Sequence, residues 1–249
     1  QNVSDDEVAI DALWCFAYAS EAELTDDVVD YAAGQGLIPG MVQSLLHPNP
    51  SMSLAAVRAI GNFVTGNDRT TAMVTNAGAV STLISGVHSG VHGAAAGGRR
   101  LKEVFWTLSN IAAGPPASID LLLAESPDVP QCAIATVVAL APDVPNDVLK
   151  EAIWVIGNCF AGGTREQLAR IVELNGLNVV ARGLQSPDSR VRRMAQQHAD
   201  EVSKIFEAQH EVPHHLRAAY QEAIGRHVNE GAGDAHAEDG GGAGEGYSF

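Results

Sequence analysis

A short pattern recurs along this chain at a nearly fixed interval, and it constrains the fold more than any other feature. The copies read Ala56-Val57-Arg58-Ala59-Ile60-Gly61-Asn62-Phe63-Val64-Thr65-Gly66, then Val104-Phe105-Trp106-Thr107-Leu108-Ser109-Asn110-Ile111-Ala112-Ala113-Gly114, then Ile153-Trp154-Val155-Ile156-Gly157-Asn158-Cys159-Phe160-Ala161-Gly162. A degenerate copy, Ala12-Leu13-Trp14-Cys15-Phe16-Ala17-Tyr18, precedes them. The leading residues Trp14, Arg58, Trp106 and Trp154 are 44, 48 and 48 positions apart. A period of that length is the signature of stacked helical units, each burying its apolar face on its neighbours.

Within each copy a Trp or Arg lies four residues before an Asn or Tyr, which places both side chains on one face of a helix, one turn apart. Leu108, Ile111 and Ala112, or Ile156, Cys159 and Phe160, fall on a different face and form the stripe that packs against neighbouring units. A lone Trp is most often a core residue. A Trp repeated with a fixed polar partner is better explained by a shared exposed surface, on which stacking aligns the pairs in a row. Asn can donate to and accept from a peptide backbone, and indole faces attract cationic side chains. Asp11, Glu103 and Glu151 each stand three residues before the Trp of their copy, and Asp68 follows Gly66. A Lys or Arg held over such a ring would also meet a carboxylate.

The formal charge of −15, from 30 acidic against 15 basic residues, argues against direct nucleic-acid binding and for a cationic partner. With 46% hydrophobic residues the chain can bury a large interior, supplied by Ala, Val, Leu and Ile, since aromatics make up only 5%. Cys15, Cys132 and Cys159 are odd in number, widely spaced and flanked by apolar residues, and read as reduced core thiols of an intracellular protein. No apolar run is long enough to span a membrane and no secretory signal is visible. His210-Glu211-Val212-Pro213-His214 matches a zinc-protease pattern, but Pro213 breaks the helix that would align the two imidazoles. His47, His88, His92 and His236 show no ligand spacing and read as surface or loop residues. No nucleophile elbow or phosphate loop is present, so neither a catalytic residue, a metal nor a cofactor is expected.

The segments Ala56 to Asp68, Glu103 to Gly114 and Glu151 to Gly163, with Asp11 to Tyr18, resemble the third helices of armadillo repeats in importin-alpha, the adaptor family that carries nuclear-localisation-signal cargo. The resemblance runs over about residues 5 to 230. It implies an all-α, right-handed superhelical solenoid of armadillo repeats over 1–230, about five repeats with the first and last incomplete. A disordered acidic, Gly-rich tail would follow over 231–249.

The resemblance also implies residue roles. Trp106, Asn110, Trp154 and Asn158 would stack on cargo cations and clamp the cargo backbone, with Glu103 and Glu151 pairing with those cations. Arg58 with Asn62 matches the family's repeat in which Arg replaces Trp between its two binding sites. Val64, Thr65, Asp68 and Thr71 match positions lining the minor site. Asp11, Trp14 and Tyr18 match the edge of the major site, whose main repeats would lie upstream of this chain. The expected partners are basic localisation-signal peptides of cargo proteins. Importin-beta would bind the full-length protein through an upstream basic segment absent here, and an export receptor would engage the terminal region. The expected location is cytoplasm and nucleus, with shuttling between them. The competing reading is an armadillo scaffold of another kind, whose groove would present Lys and Arg to acidic partners.

Helix signals follow the same scheme. Asp26 to Tyr31, Asp68 to Thr75, Pro116 to Ala124 and Glu166 to Leu174 are candidate first helices, and second helices are expected after Gly36, Gly78 and Gly176. Ser89 to Gly98 and Ala141 to Asn146 read as inserted loops. The next copy would fall near residue 198, where the helical stretch Asp188 to Phe206 offers His198 and Val202 in place of Trp and Asn, so the binding row is expected to end before it. Leu216 to Val228 resembles the family's final helix, reached by a short link from Glu207 to His215.

Overall fold

The computed structural model describes residues 6–21, 25–93, 98–127, 129–208, 218 and 221–225. Thirteen α-helices occur among the described residues, and no strand. The first, α1 (Asp6–Ala19), carries the degenerate copy of the pattern. Four three-helix units follow. They are α2 (Asp26–Gly34), α3 (Leu37–Ser44) and α4 (Pro50–Val64); α5 (Asp68–Asn76), α6 (Ala79–His88) and α7 (Gly98–Ala112); α8 (Pro116–Leu123), α9 (Ala133–Leu140) and α10 (Asn146–Gly162); and α11 (Arg165–Glu173), α12 (Leu177–Leu184) and α13 (Ser189–Ala208). The first and second helices of each unit agree with the sequence expectation to within a few residues, and α9 is a second helix that no glycine signal announced.

Local chemistry sets the boundaries. Asn49 caps α4 by accepting from the Ser51 amide at 3.0 Å, and Pro50 occupies the first helical turn, where its missing N–H costs nothing. Asn67 with Thr70, and Thr164 with Gln167, form reciprocal capping boxes at the starts of α5 and α11. In three of the four units a residue of positive φ turns the chain from the first helix into the second. Gly36 (φ 67°) and Gly78 (φ 87°) supply it, but in the last unit Asn175 (φ 63°) takes that role and Gly176 is right-handed. Asn175-Gly176, a pairing common in hairpins, here turns one helix into the next.

The third helices α1, α4, α7, α10 and α13 pack side by side in chain order, and their apolar faces form the core. Phe63, Phe105, Leu108, Ile111, Ile153, Ile156 and Phe160 are all buried, including the stripe read from the sequence. Polar ties between first helices reinforce the stack. Gln167 donates to the Pro116 carbonyl at 2.8 Å and to Asp120 at 2.6 Å, and Arg69 donates to Asp26 and Asp30. The Gln221–Gly225 turn packs on α12, covering part of the far end.

Two readings from sequence are corrected. Cys15 is exposed, on a face of α1 that no helix covers among the described residues, whereas Cys132 and Cys159 are buried. His92 is fully buried rather than a surface residue, because the turn after α6 folds it back under Gly86. Within the expected loops, 89–93 is a turn and Ala141–Asp143 is one turn of 3-10 helix. The His210–His214 motif, the tail 231–249 and most of Leu216 to Val228 lie outside the described residues.

Candidate functional site

The leading residues of the pattern occupy equivalent places on successive third helices: Trp14 on α1, Arg58 on α4, Trp106 on α7 and Trp154 on α10. His198 takes the corresponding place on α13. The spacing that puts them on one helical face in the sequence is therefore converted, by parallel stacking, into one row. Contacts join its members in pairs. Trp14 stacks on Tyr18 one turn along its own helix, with centroids 5.6 Å apart. The Arg58 guanidinium lies over the Trp106 ring, 5.2 Å from its centroid. His198 meets Trp154 edge-on, 4.6 Å between centroids at 83°. His198, the residue the sequence offers in the Trp place of the α13 copy, is buried against Trp154.

Arg58 also donates to Glu103 at 2.7 Å, so a cation, an indole and a carboxylate meet in one cluster across α4 and α7. Glu103 and Glu151 are buried. Burial pushes the Glu103 carboxyl above its ordinary range, opposed by the positive charge of Arg58, Lys102 and Arg99. Burial likewise raises Glu151, opposed by Lys150 and Lys102 and reinforced by Glu103 and Asp147. No ion pair to Glu151 is present among the described residues. Glu103 is ion-paired within the chain, whereas Glu151 is offset only at longer range by Lys150 and Lys102.

The asparagines divide in the same way. Asn62 donates through its amide nitrogen to the Ala17 carbonyl at 2.7 Å and the Ser20 hydroxyl at 3.1 Å, both on or beside α1. Asn158 donates to the Ser109 carbonyl at 2.9 Å, across α10 to α7. These amides hold one third helix to the preceding one, a structural role the sequence reading did not assign. The Asn110 amide nitrogen is buried and has no hydrogen-bond partner among the described residues. Trp106, Trp154, Asn110 and Asn158 are half-buried, with part of each side chain facing the surface. Asp11, Tyr18, Thr65 and Asp68 are exposed, Trp14 is half-buried, and Val64 and Thr71 are buried.

No protein-family profile matches the chain. Importin subunit alpha-1a of Oryza sativa subsp. japonica is 34% identical over 120 residues, covering 48% of this chain and 22% of that protein. Importin subunit alpha-3 of Arabidopsis thaliana is 37% identical over 81 residues, covering 32% of this chain and 15% of that protein. The matched segments therefore span about a fifth or less of these relatives' own length. Among solved structures, an engineered protein superposes with a TM-score of 0.73 at 22% identity, over 94% of this chain and 52% of that one. A designed armadillo repeat protein in complex with the peptide (KR)4 superposes with a TM-score of 0.66 at 21% identity, over 90% of this chain and 95% of that one.

The chain is an armadillo-repeat solenoid. Its sequence relatives are importin alpha subunits, the family that the Trp/Asn pattern resembles. In this armadillo solenoid the row of rungs belongs to the third helices, and the two carboxylates lie one turn before Trp106 and Trp154. Among the described residues, no group of three His, Cys, Asp or Glu could hold a metal ion, and no helix is long and apolar enough to cross a membrane. Cys159, beside Asn158, is fully buried, and burial pushes its thiol up to about 12, so it is not a thiolate at neutral pH.

Proposed function

We propose that this armadillo solenoid binds an extended Lys/Arg-rich peptide along its row of rungs, and that it acts by binding, without chemistry. The observation that carries the reading is the Arg58 cluster. A guanidinium of the chain itself rests on one indole and pairs with the carboxylate one turn before it. Trp154 and Glu151 repeat that spacing on the next helix, where among the described residues no Lys or Arg is ion-paired with Glu151 or stacked on Trp154. A Lys or Arg from a peptide entering between Trp106 and Trp154 would have an indole for its stem and Glu151 for its charge. Each such cation contributes on the order of 0.5 to 2 kcal/mol. Asn110 and Asn158 would hold the peptide backbone beside it, and Asp11, Trp14 and Tyr18 would meet its far end.

The similarity to importin alpha subunits supports the nuclear localisation signal of a cargo protein as that peptide. In that reading the chain is part of a nuclear import adaptor that shuttles between cytoplasm and nucleus. Importin-beta would be recruited through a segment outside this chain. The designed solenoid in complex with (KR)4 supports a basic ligand for a groove of this fold, and the net charge of −15 favours one.

The test is a fluorescence-anisotropy titration with a labelled Lys/Arg-rich signal peptide, a charge-matched scrambled peptide and the Trp106→Ala/Trp154→Ala double mutant. Sequence-dependent binding that the double mutant loses while its helical circular dichroism is intact is the expected result. Equal binding of scrambled peptide and mutant would remove the adaptor reading. Binding of acidic peptides instead would make the chain an armadillo scaffold of another kind.

A further inference from the structure

We infer that Gly61 is a positioning residue for Trp106: its missing side chain is the seat on which the indole rests, and it fixes the plane that the rung presents to a ligand. The inference deepens the peptide-binding reading and rests on it for its consequence, though not for its geometry. Gly61 lies inside α4, in ordinary right-handed helix, so its backbone conformation does not require glycine. A glycine inside a helix weakens it relative to alanine, so another cause must place it there. That cause is contact. A Cβ built on Gly61 would lie 2.2 Å from Trp106 Cζ3, 2.9 Å from Cε3 and 3.0 Å from Thr107 Oγ1. The six-membered edge of the indole is therefore in van der Waals contact with the Gly61 backbone.

Arg58, one turn earlier on α4, covers the face of the same ring, and Glu103, one turn before Trp106 on α7, anchors Arg58. Two residues of α4 thus fix the indole, one by stacking and one by leaving space. The arrangement recurs independently at the end of the row. Gly157, inside α10, would place a Cβ 2.3 Å from Nδ1 and 2.5 Å from Cε1 of His198. In both cases the glycine stands three residues after the rung of its own helix and receives the rung of the next. The corresponding positions in the other copies are the small buried residues Ala17 and Ser109. At Gly61 and Gly157 the next helix's ring lies directly against the backbone, and a Cβ added there must tilt the ring or part the helices.

The experiment is a cycle of Gly61→Ala, Trp106→Ala and the double mutant, each followed by urea unfolding and by anisotropy with a labelled (Lys-Arg)4 peptide. Gly61→Ala is expected to lower peptide affinity at least tenfold and to lower the unfolding midpoint. In the Trp106→Ala background, where the indole no longer occupies the space, the same substitution is expected to change neither. If Gly61→Ala alone does not fold, the double mutant must still fold; a double mutant that also fails overturns the inference. So does a Gly61→Ala protein that binds within twofold of wild type, or one that is destabilised equally with and without Trp106. Should wild type bind no peptide, the peptide reading fails, and the unfolding cycle alone still decides whether Gly61 seats Trp106.

Discussion

The guanidinium of Arg58 lies over the indole of Trp106, 5.2 Å from the ring centroid, and the two side chains come from helices in adjacent repeats. Arg58 simultaneously satisfies the buried carboxylate of Glu103 at 2.7 Å. One residue therefore closes one indole face and one carboxylate to outside cations. The equivalent carboxylate on the next third helix, Glu151 one turn before Trp154, has no ion pair among the described residues.

Arg58→Ala should destabilise the solenoid by about 2 kcal/mol, because it leaves the Glu103 carboxylate buried without a counter-ion. Pairing the substitution with Glu103→Gln should recover most of that loss. Urea unfolding of the four proteins of the cycle measures both. A cost that is the same whether or not Glu103 is ionisable would show that the ion pair is not its source.

Asn62→Ala and Asn110→Ala should separate stability from binding. Asn62 uses its amide on Ala17 and Ser20, so its loss strands a buried carbonyl and should cost about 1 to 2 kcal/mol. Asn110 has no such partner, so Asn110→Ala should change stability by less than about 0.5 kcal/mol while weakening the peptide complex. Thermal unfolding and anisotropy on both variants decide the assignment.

Glu151→Gln should leave the unfolding midpoint at pH 7 unchanged or raise it. Burial raises the folded-state pKa of Glu151, so the unfolded chain releases that proton first and stability falls as pH climbs from the ordinary carboxyl range through the folded value. An uncharged amide escapes that penalty. The same substitution should lower affinity for a Lys/Arg-rich peptide by about tenfold, through loss of a charge-assisted contact. Unfolding at pH 5 and pH 7, together with peptide titration at pH 7, reads both effects.

His92 should make stability fall in mild acid. Burial first, then the nearby Arg100, lower its pKa from 6.5 to about 4. The unfolded chain therefore takes up the proton earlier, so the full stability present above pH 6.5 is lost progressively as pH falls toward 4. The loss amounts to about 3 kcal/mol when complete. His198 is lowered in the same direction, also chiefly by burial, with Glu201 opposing it. In His92→Phe, a urea midpoint measured from pH 7.5 to 4 should show a visibly shallower slope. An unchanged slope would place the acid sensitivity elsewhere.

Much of this was legible in the sequence. The interval between Trp14, Arg58, Trp106 and Trp154 determined a helical solenoid, the i, i+4 spacing determined one shared face, and capping residues such as Asn67 and Thr164 marked helix starts. These are local properties, carried by helical periodicity and by hydrogen bonds within a turn. What each rung touches was not legible. Arg58 and Glu103 are 45 residues apart, and Asn158 and Ser109 are 49 apart, so their meeting depends on the register between repeats. Side-chain burial depends on the same stacking: it closed over Glu103 and Glu151 and left Cys15 outside, while the turn after α6 buried His92. The glycine three residues after Arg58 was present in the repeated pattern from the start. Only the stacked helices give it a function, because a missing Cβ matters where a neighbour's ring comes to occupy its place.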